Sequence, residues 1–310
     1  MTDDISGSTA APENLDEPIV AFGTSADGFP VAQVGDNAFA SLPGRGDTHF
    51  LASGWRIARP IAEWRRSDFY GHSGRLADEA EFRAKVLENA EHQREKRRLG
   101  RTQMRTSAST PWGGAQSAIL HAEGIVEYST ASHGGFHLSP ERNAAVHSTL
   151  RSEGGWYEED CGWAAVAITF PDLFTAFERR CAETTLTDWF PDAWETVFGT
   201  VLGPGDSHEK DRRAFAAAHV ADWVVISAIR SSHHAPMVEV VATLGGRRDP
   251  RAEERRFLVP STEYEVERPF GFVVDPGRHA VCNGGCDDAC DAAHDGVASF
   301  VGRSIEGRGP

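Results

Sequence analysis

Residues that could carry chemistry concentrate between Thr110 and Phe170, in three glycine-flanked groups: Ser129-Thr130-Ala131-Ser132-His133-Gly134-Gly135, Gly154-Gly155-Trp156-Tyr157 and Glu158-Glu159-Asp160-Cys161. Cys161 with His133 is a nucleophile and base combination, because a nearby imidazole and a helix N-terminus can lower a thiol pKa enough to give a thiolate. The three acids just before Cys161 act in the opposite direction, since neighbouring negative charge disfavours the thiolate. They favour reading Cys161 as a small buried residue of a core helix. Glu158 and Glu159 could instead orient His133 or hold a cation, although consecutive side chains on a helix diverge and cannot meet at one ion. At a helix start such acids also complement the dipole. The N–H groups of Gly134 and Gly135 could cradle an anion, or the pair could form a tight turn after a strand. The candidate catalytic set is therefore His133, Cys161, Glu158 and Glu159, flanked by Ser132, Gly134, Gly135, Trp156 and Tyr157 as candidate binding residues.

Two further clusters lie outside this block. Cys282, Cys286, Cys290 and His294 recur every four residues, and three thiols with one imidazole suit a tetrahedral zinc ion. Asn283-Gly284-Gly285 opposes the helix that would align them. Residues 279–310 are accordingly read as a flexible Cys- and Asp-rich tail with no cofactor, zinc being the alternative. Residues 94–105 hold six basic groups against one acid, and Arg94, Arg97, Arg98 and Arg101 are the side chains that would meet nucleic acid. The aromatic interleaving of single-strand binders is missing there, and bases in the last turn of a helix answer its dipole. A protein partner is expected in preference to nucleic acid.

The composition agrees. The 310 residues carry 46 acids against 31 Lys and Arg, a net charge of −15, which disfavours non-specific attraction to nucleic acid or an anionic membrane. No apolar run approaches the roughly 20 residues of a membrane helix. The first eighteen residues hold five acids and no base, the reverse of a signal peptide, so a cytoplasmic protein without membrane association is expected. Five cysteines, an odd number without a secretory signal, argue against a disulfide framework.

The elements that must position these residues follow from periodicity. Residues 1–17 are acidic, poor in bulky apolar groups and read as disordered. Short strands and turns are expected from Ile19 to Ile61, then a helix over Leu76–Leu99 with acids early and bases late. Gly100–Ser109 is polar and reads as a linker. Ser117–Leu120 and Ile125–Thr130 flank Glu123-Gly124 as a hairpin. Ser139-Pro140 opens a helix expected to reach Arg151, and Tyr157–Thr169 reads as a buried helix. Helical pieces are expected over 172–186, 191–199 and 207–219. Trp223–Ile229, Met237–Leu244, Arg256–Val259 and Phe270–Val274 read as consecutive strands. The class is α+β, an antiparallel hairpin plus a three- to four-stranded meander packed with several helices. The expected division is a β segment with a long helix over 18–109 and a main domain over 110–278.

Cys161-Gly162-Trp163-Ala164 superficially resembles the start of the central helix in papain-like enzymes, but there the histidine follows the cysteine and here it precedes it. A wider resemblance is carried by Thr110-Pro111-Trp112-Gly113, by Ser129–Phe136 (STASHGGF) and by Gly154–Asp160 (GGWYEED). Together they resemble an uncharacterised domain-of-unknown-function family of bacterial plasmids, phages and other mobile elements. The resemblance continues through Phe170-Pro171-Asp172, Asp222–Ile226 and Val240–Arg247 to about His279. It brings no established activity or catalytic residues. It implies an accessory protein of a mobile element that binds a macromolecular partner, the alternative being a small hydrolase or transferase using His133 with Cys161 or Glu158/Glu159.

Overall fold

Alternating apolar positions separated by Gly and Pro turns build an antiparallel meander from β1 (Val20–Thr24), β2 (Pro30–Val34), β3 (Asn37–Pro43), β4 (His49–Trp55) and β5 (Gly71–Leu76), neighbours in space in the order of the chain. These coordinates come from a computed structural model that describes residues 18–266 and 268–282. The expected N-terminal disorder over 1–17 lies outside the described residues. β3 is buried at five consecutive positions, Ala38 to Leu42, because the sheet is covered on both faces. On one side α1 (Glu79–Arg98) lays Phe82, Val86 and Ala90 against Ala32, Val34, Phe39 and Leu51. Those helix residues recur every four positions, the spacing of one face. On the other side Trp64 and Phe69 close over Val31, Ala38, Ala40 and Leu42. Asp78 caps α1 by accepting from the Glu81 N–H.

A second sheet follows, with strand order β12-β11-β10-β9-β6. The segment expected to be a linker contributes its edge: β6 (Thr102–Met104) pairs antiparallel with β9. All three β6 side chains are exposed, so no apolar alternation marks the strand in the sequence. A small hairpin, β7 (Ser109–Thr110) and β8 (Gly113–Gly114), precedes β9 (Ser117–Ala122), β10 (Ile125–Ser129) and β11 (Gly134–Leu138). The β9–β10 turn is the one expected, with Gly124 at φ +78°.

α2 (Pro140–Ala145) starts as predicted, Ser139 accepting from the Arg142 N–H, but stops six residues before Arg151. Val146 turns extended and is fully buried, and Arg151 donates to the carbonyls of Ala144 and Val146. The helix expected from Tyr157 is also corrected. Trp156–Glu158 is β12, paired with β11, and α3 covers only Trp163–Thr169. α4 (Ala176–Trp189) comes next.

The chain divides into two compact units, one closing at Thr185 and the next opening at Leu186, within α4. The second unit holds α5 (Pro191–Phe198), α6 (His208–Ala218), β13 (Trp223–Arg230), β14 (Met237–Leu244), β15 (Glu254–Pro260), α7 (Ser261–Tyr264), β16 (Val273–Val274) and β17 (Ala280–Val281). Its sheet, ordered β16-β13-β14-β15-β17, buries Trp223, Val238, Val240, Phe257 and Val259. The fold is α+β: seven helices and three five-stranded antiparallel sheets among the described residues. No helix among them is long and apolar enough to cross a membrane.

Candidate functional site

Strand alternation sorts the second sheet into two faces. Ile125, Phe136, Leu138 and Tyr157 point inward and are buried. The other set is Val126 and Tyr128 from β10, His137 with Gly135 from β11, and Trp156 with Glu158 from β12. Its side chains are only partly buried. Register rows Val126–His137–Trp156 and Tyr128–Gly135–Glu158 therefore form one outer surface.

Trp112 completes it. Pro111 and Trp112 are the two-residue connection of the β7–β8 hairpin, where Thr110 Oγ1 donates to the Gly113 carbonyl and accepts from the Trp112 N–H. The Trp112 ring lies over Gly135: a Cβ added there would stand 2.6 Å from that ring and 2.2 Å from the Tyr157 carbonyl oxygen. Gly135 also has φ +153°, so only glycine fits. The three sequence motifs thus meet. Trp156 stands at the centre, its ring 5.7 Å from Trp112, 5.7 Å from Tyr128 and 4.3 Å from His137. Burial pushes the His137 imidazole pKa down, so it presents a neutral ring at neutral pH.

The predicted residues distribute around this surface. The turn spans Thr130 to His133, with the Thr130 hydroxyl donating to the His133 carbonyl and accepting from the His133 N–H. Ser132 lies exposed within it. Gly134 and Gly135 belong to β11. His133 and Glu159 come together loosely, Nδ1 to Oε1 4.0 Å apart and both about half exposed. Glu158 turns its Oε1 onto the next loop, where it accepts from the N–H groups of Asp160 (2.5 Å) and Cys161 (3.0 Å). Burial, then the charges of Glu158 and Asp160, push the Cys161 thiol up, the direction expected from the sequence. Tyr157 faces inward, and its hydroxyl donates to Asn143 Oδ1 and accepts from the Ser152 N–H.

Sequence reasoning passed over Trp112, Tyr128 and His137 as site residues. Tyr128 and His137 were recoverable from the alternation of β10 and β11; Trp112 needed the tertiary fold. It also passed over His121, whose Nε2 lies 2.8 Å from Glu127 Oε2 while the ring is buried between Phe136 and Phe174.

The other clusters fall elsewhere. Arg101 is held in a nearly buried bidentate pair with Glu178 and also donates to the Leu173 carbonyl. Arg94 pairs with Glu91, and Arg97 and Arg98 occupy the last turn of α1. Cys282 donates its N–H to the Arg256 carbonyl beyond β17. Cys286, Cys290 and His294 lie outside the described residues. Among the described residues no group of three or more His, Cys, Asp or Glu side chains is arranged to hold a metal ion.

Residues 105–220 match a family described as a domain of unknown function, DUF7007. The DUF7007 match takes in all three motifs and every member of the aromatic surface. It ends before β13, so the resemblance read further along the chain lies beyond it. No curated protein and no solved structure matches the chain.

Proposed function

We propose that this chain is an accessory protein that acts by binding a macromolecular partner through the outer face of its second sheet. One observation carries the proposal: Trp112, Tyr128 and His137, from three separate stretches of the chain, each pack their rings against Trp156, and all four remain partly open to solvent. Clustered aromatic side chains dominate interface energetics, because each presents a large rigid surface at small entropic cost. The motif resemblance adds the setting of a mobile genetic element, and the acidic composition favours a protein partner over nucleic acid. The hydrolase or transferase reading has the His133–Glu159 pair in its favour. Against it stand a thiol pushed away from its reactive form and a Glu158 carboxylate engaged by backbone N–H groups.

A photo-crosslinking residue in place of Tyr128, expressed in the native host, tests the proposal. A discrete protein adduct is expected from position 128. None is expected from the same residue in place of Tyr70, which is 72% exposed and immediately precedes β5. Absence of an adduct at 128, or identical adducts from both positions, overturns the proposal. Trp156→Ala should weaken capture of the same partner by about thirtyfold, the equivalent of a ~2 kcal/mol aromatic anchor.

A further inference from the structure

Resting on the binding reading above, we propose that the occupant of this face is a proline-rich segment of a protein, extended as a polyproline II helix of about six residues. It lies across the strands along the row Thr102–Leu120–Val126–His137–Trp156, with Trp112 and Tyr128 beside it.

Strand register builds that row. Thr102 of β6 stands opposite Leu120 of β9, Leu120 opposite Val126 of β10, and His137 and Trp156 follow on β11 and β12. Directly opposed residues share a face, so the aromatic surface continues over all five strands. Thr102 is exposed and the other four are half-buried, so every position keeps some contact with solvent. Adjacent strands lie about 4.8 Å apart, which makes the row roughly 19 Å long. At ~3.1 Å per residue, polyproline II covers it in about six residues.

The row is uncharged at neutral pH. Burial keeps the His137 ring neutral. Glu158, in the next row, turns its carboxylate onto the Asp160 and Cys161 N–H groups. Glu127 and Glu159 belong to the opposite face, against His121 and Gly134. An uncharged partner segment suits such a surface, whereas single-stranded nucleic acid needs a positive groove beside its stacking rings.

Shape and hydrogen bonding choose among protein segments. Trp112 stands at 89° to Trp156 and Tyr128 at 48°, each 5.7 Å away. Rings set at such angles leave notches that suit a compact apolar ring such as that of proline. The Trp112 and Trp156 indole N–H groups and the Tyr128 hydroxyl have no hydrogen-bond partner among the described residues, and none of the three is sealed from solvent. They are donors for carbonyl oxygens. A helix spends its carbonyls on its own N–H groups. An added β-strand needs a free sheet edge, which the middle strands of a paired sheet lack. Polyproline II keeps its backbone carbonyls free, and proline has no N–H of its own to satisfy.

The purified full chain is passed over immobilised oligoproline peptides of about three, six and ten residues. The comparison probes are an amphipathic helix-forming peptide, a Thr/Val-rich extended peptide and a single-stranded oligonucleotide. Six prolines should be held at least about tenfold more tightly than three, and ten should add less than about fivefold, the gain from extra registers. Trp156→Ala should lower retention of six prolines at least about tenfold. Tyr128→Phe keeps the ring and removes only the hydroxyl, so it keeps the fold, and should weaken retention about fivefold, one neutral hydrogen bond. Equal or tighter retention of any comparison probe overturns the proposal. So does retention of no proline peptide, or retention that Trp156→Ala and Tyr128→Phe both leave unchanged. If the helical or extended peptide is the tightest and its retention depends on Trp156, the binding face stands and only its proline-rich occupant falls. Absence of a specific crosslink at position 128 removes both.

Discussion

Gly135 is the residue on which the aromatic surface depends most narrowly. Its φ of +153° disfavours any L side chain, and a Cβ would meet the Tyr157 carbonyl oxygen at 2.2 Å, backbone that cannot yield without parting β11 from β12. Strained backbone costs about 1–3 kcal/mol, and forcing atoms into an occupied space costs a similar amount. Gly135→Ala should therefore lower stability by on the order of 3 kcal/mol, seen as an earlier unfolding midpoint, and should displace Trp112. Gly154→Ala is the control, since a Cβ there meets only the Trp156 ring at 3.4 Å and should cost under about 1 kcal/mol. Sequence alone marked Gly134-Gly135 as unusual but assigned them to a turn. A repeated glycine signals that room is needed; it does not say whether a ligand, a turn or a neighbouring tryptophan takes it. Trp156 was legible as a candidate from its glycine flank, whereas Trp112, 44 residues earlier in the chain though adjacent in space, was not.

At the scale of elements, strands and helices with an apolar period were legible and those without one were not. α1, the β9–β10 hairpin, α6 and the β13–β15 meander follow from alternation, caps and dipole charges. β6 exposes every side chain and β12 has three residues, so pairing by backbone hydrogen bonds alone decides both. The joint that places β6 is Arg101, which sits between the end of α1 and the start of β6 and grips Glu178 in the first turn of α4. Burial pushes the Glu178 carboxyl up, but the Arg101 hydrogen bonds and the Thr175 N–H more than offset it, leaving the group below its ordinary value. The same helix start is tied to α1 through His92 to Thr175 (2.8 Å) and through Glu95 to the Ala176 N–H (2.7 Å). Arg101→Ala should cost about 3–5 kcal/mol, because it leaves a nearly buried carboxylate unpaired. Arg101→Met with Glu178→Met should recover much of that loss, since neither charge then remains to be desolvated. Chemical denaturation of the single and double variants measures both. A basic residue that reads as a solvated patch in the sequence is, in the fold, the bolt between three elements.

Over the whole molecule the shifted groups define a window of stability in pH. Desolvation lowers the pKa of His92 and His137 below the ordinary 6.5. As pH falls through 6.5 the unfolded chain takes up protons that the folded chain refuses, so stability declines from there downward. A second decline starts near pH 4.5, where the carboxylates held low in the fold must be protonated. Glu178 is one. Glu209 is another, held at about 2 chiefly by its hydrogen bond from Arg212. Glu195, held low by Lys210, is a third. On the alkaline side burial raises the Cys161 and Cys181 thiols above their ordinary 9.0. Above pH 9 the unfolded chain releases protons that the folded chain keeps, and stability falls again. The unfolding midpoint should be highest between about pH 6.5 and 9. Below this range it should fall in two stages, and His92→Gln should flatten the first, between 6.5 and the second onset, while leaving the acid stage in place. A midpoint that continued to rise from pH 6.5 down to 5 would show that the imidazoles gain partners on charging, and would place His92 and His137 in a more solvated setting than the rings around them allow.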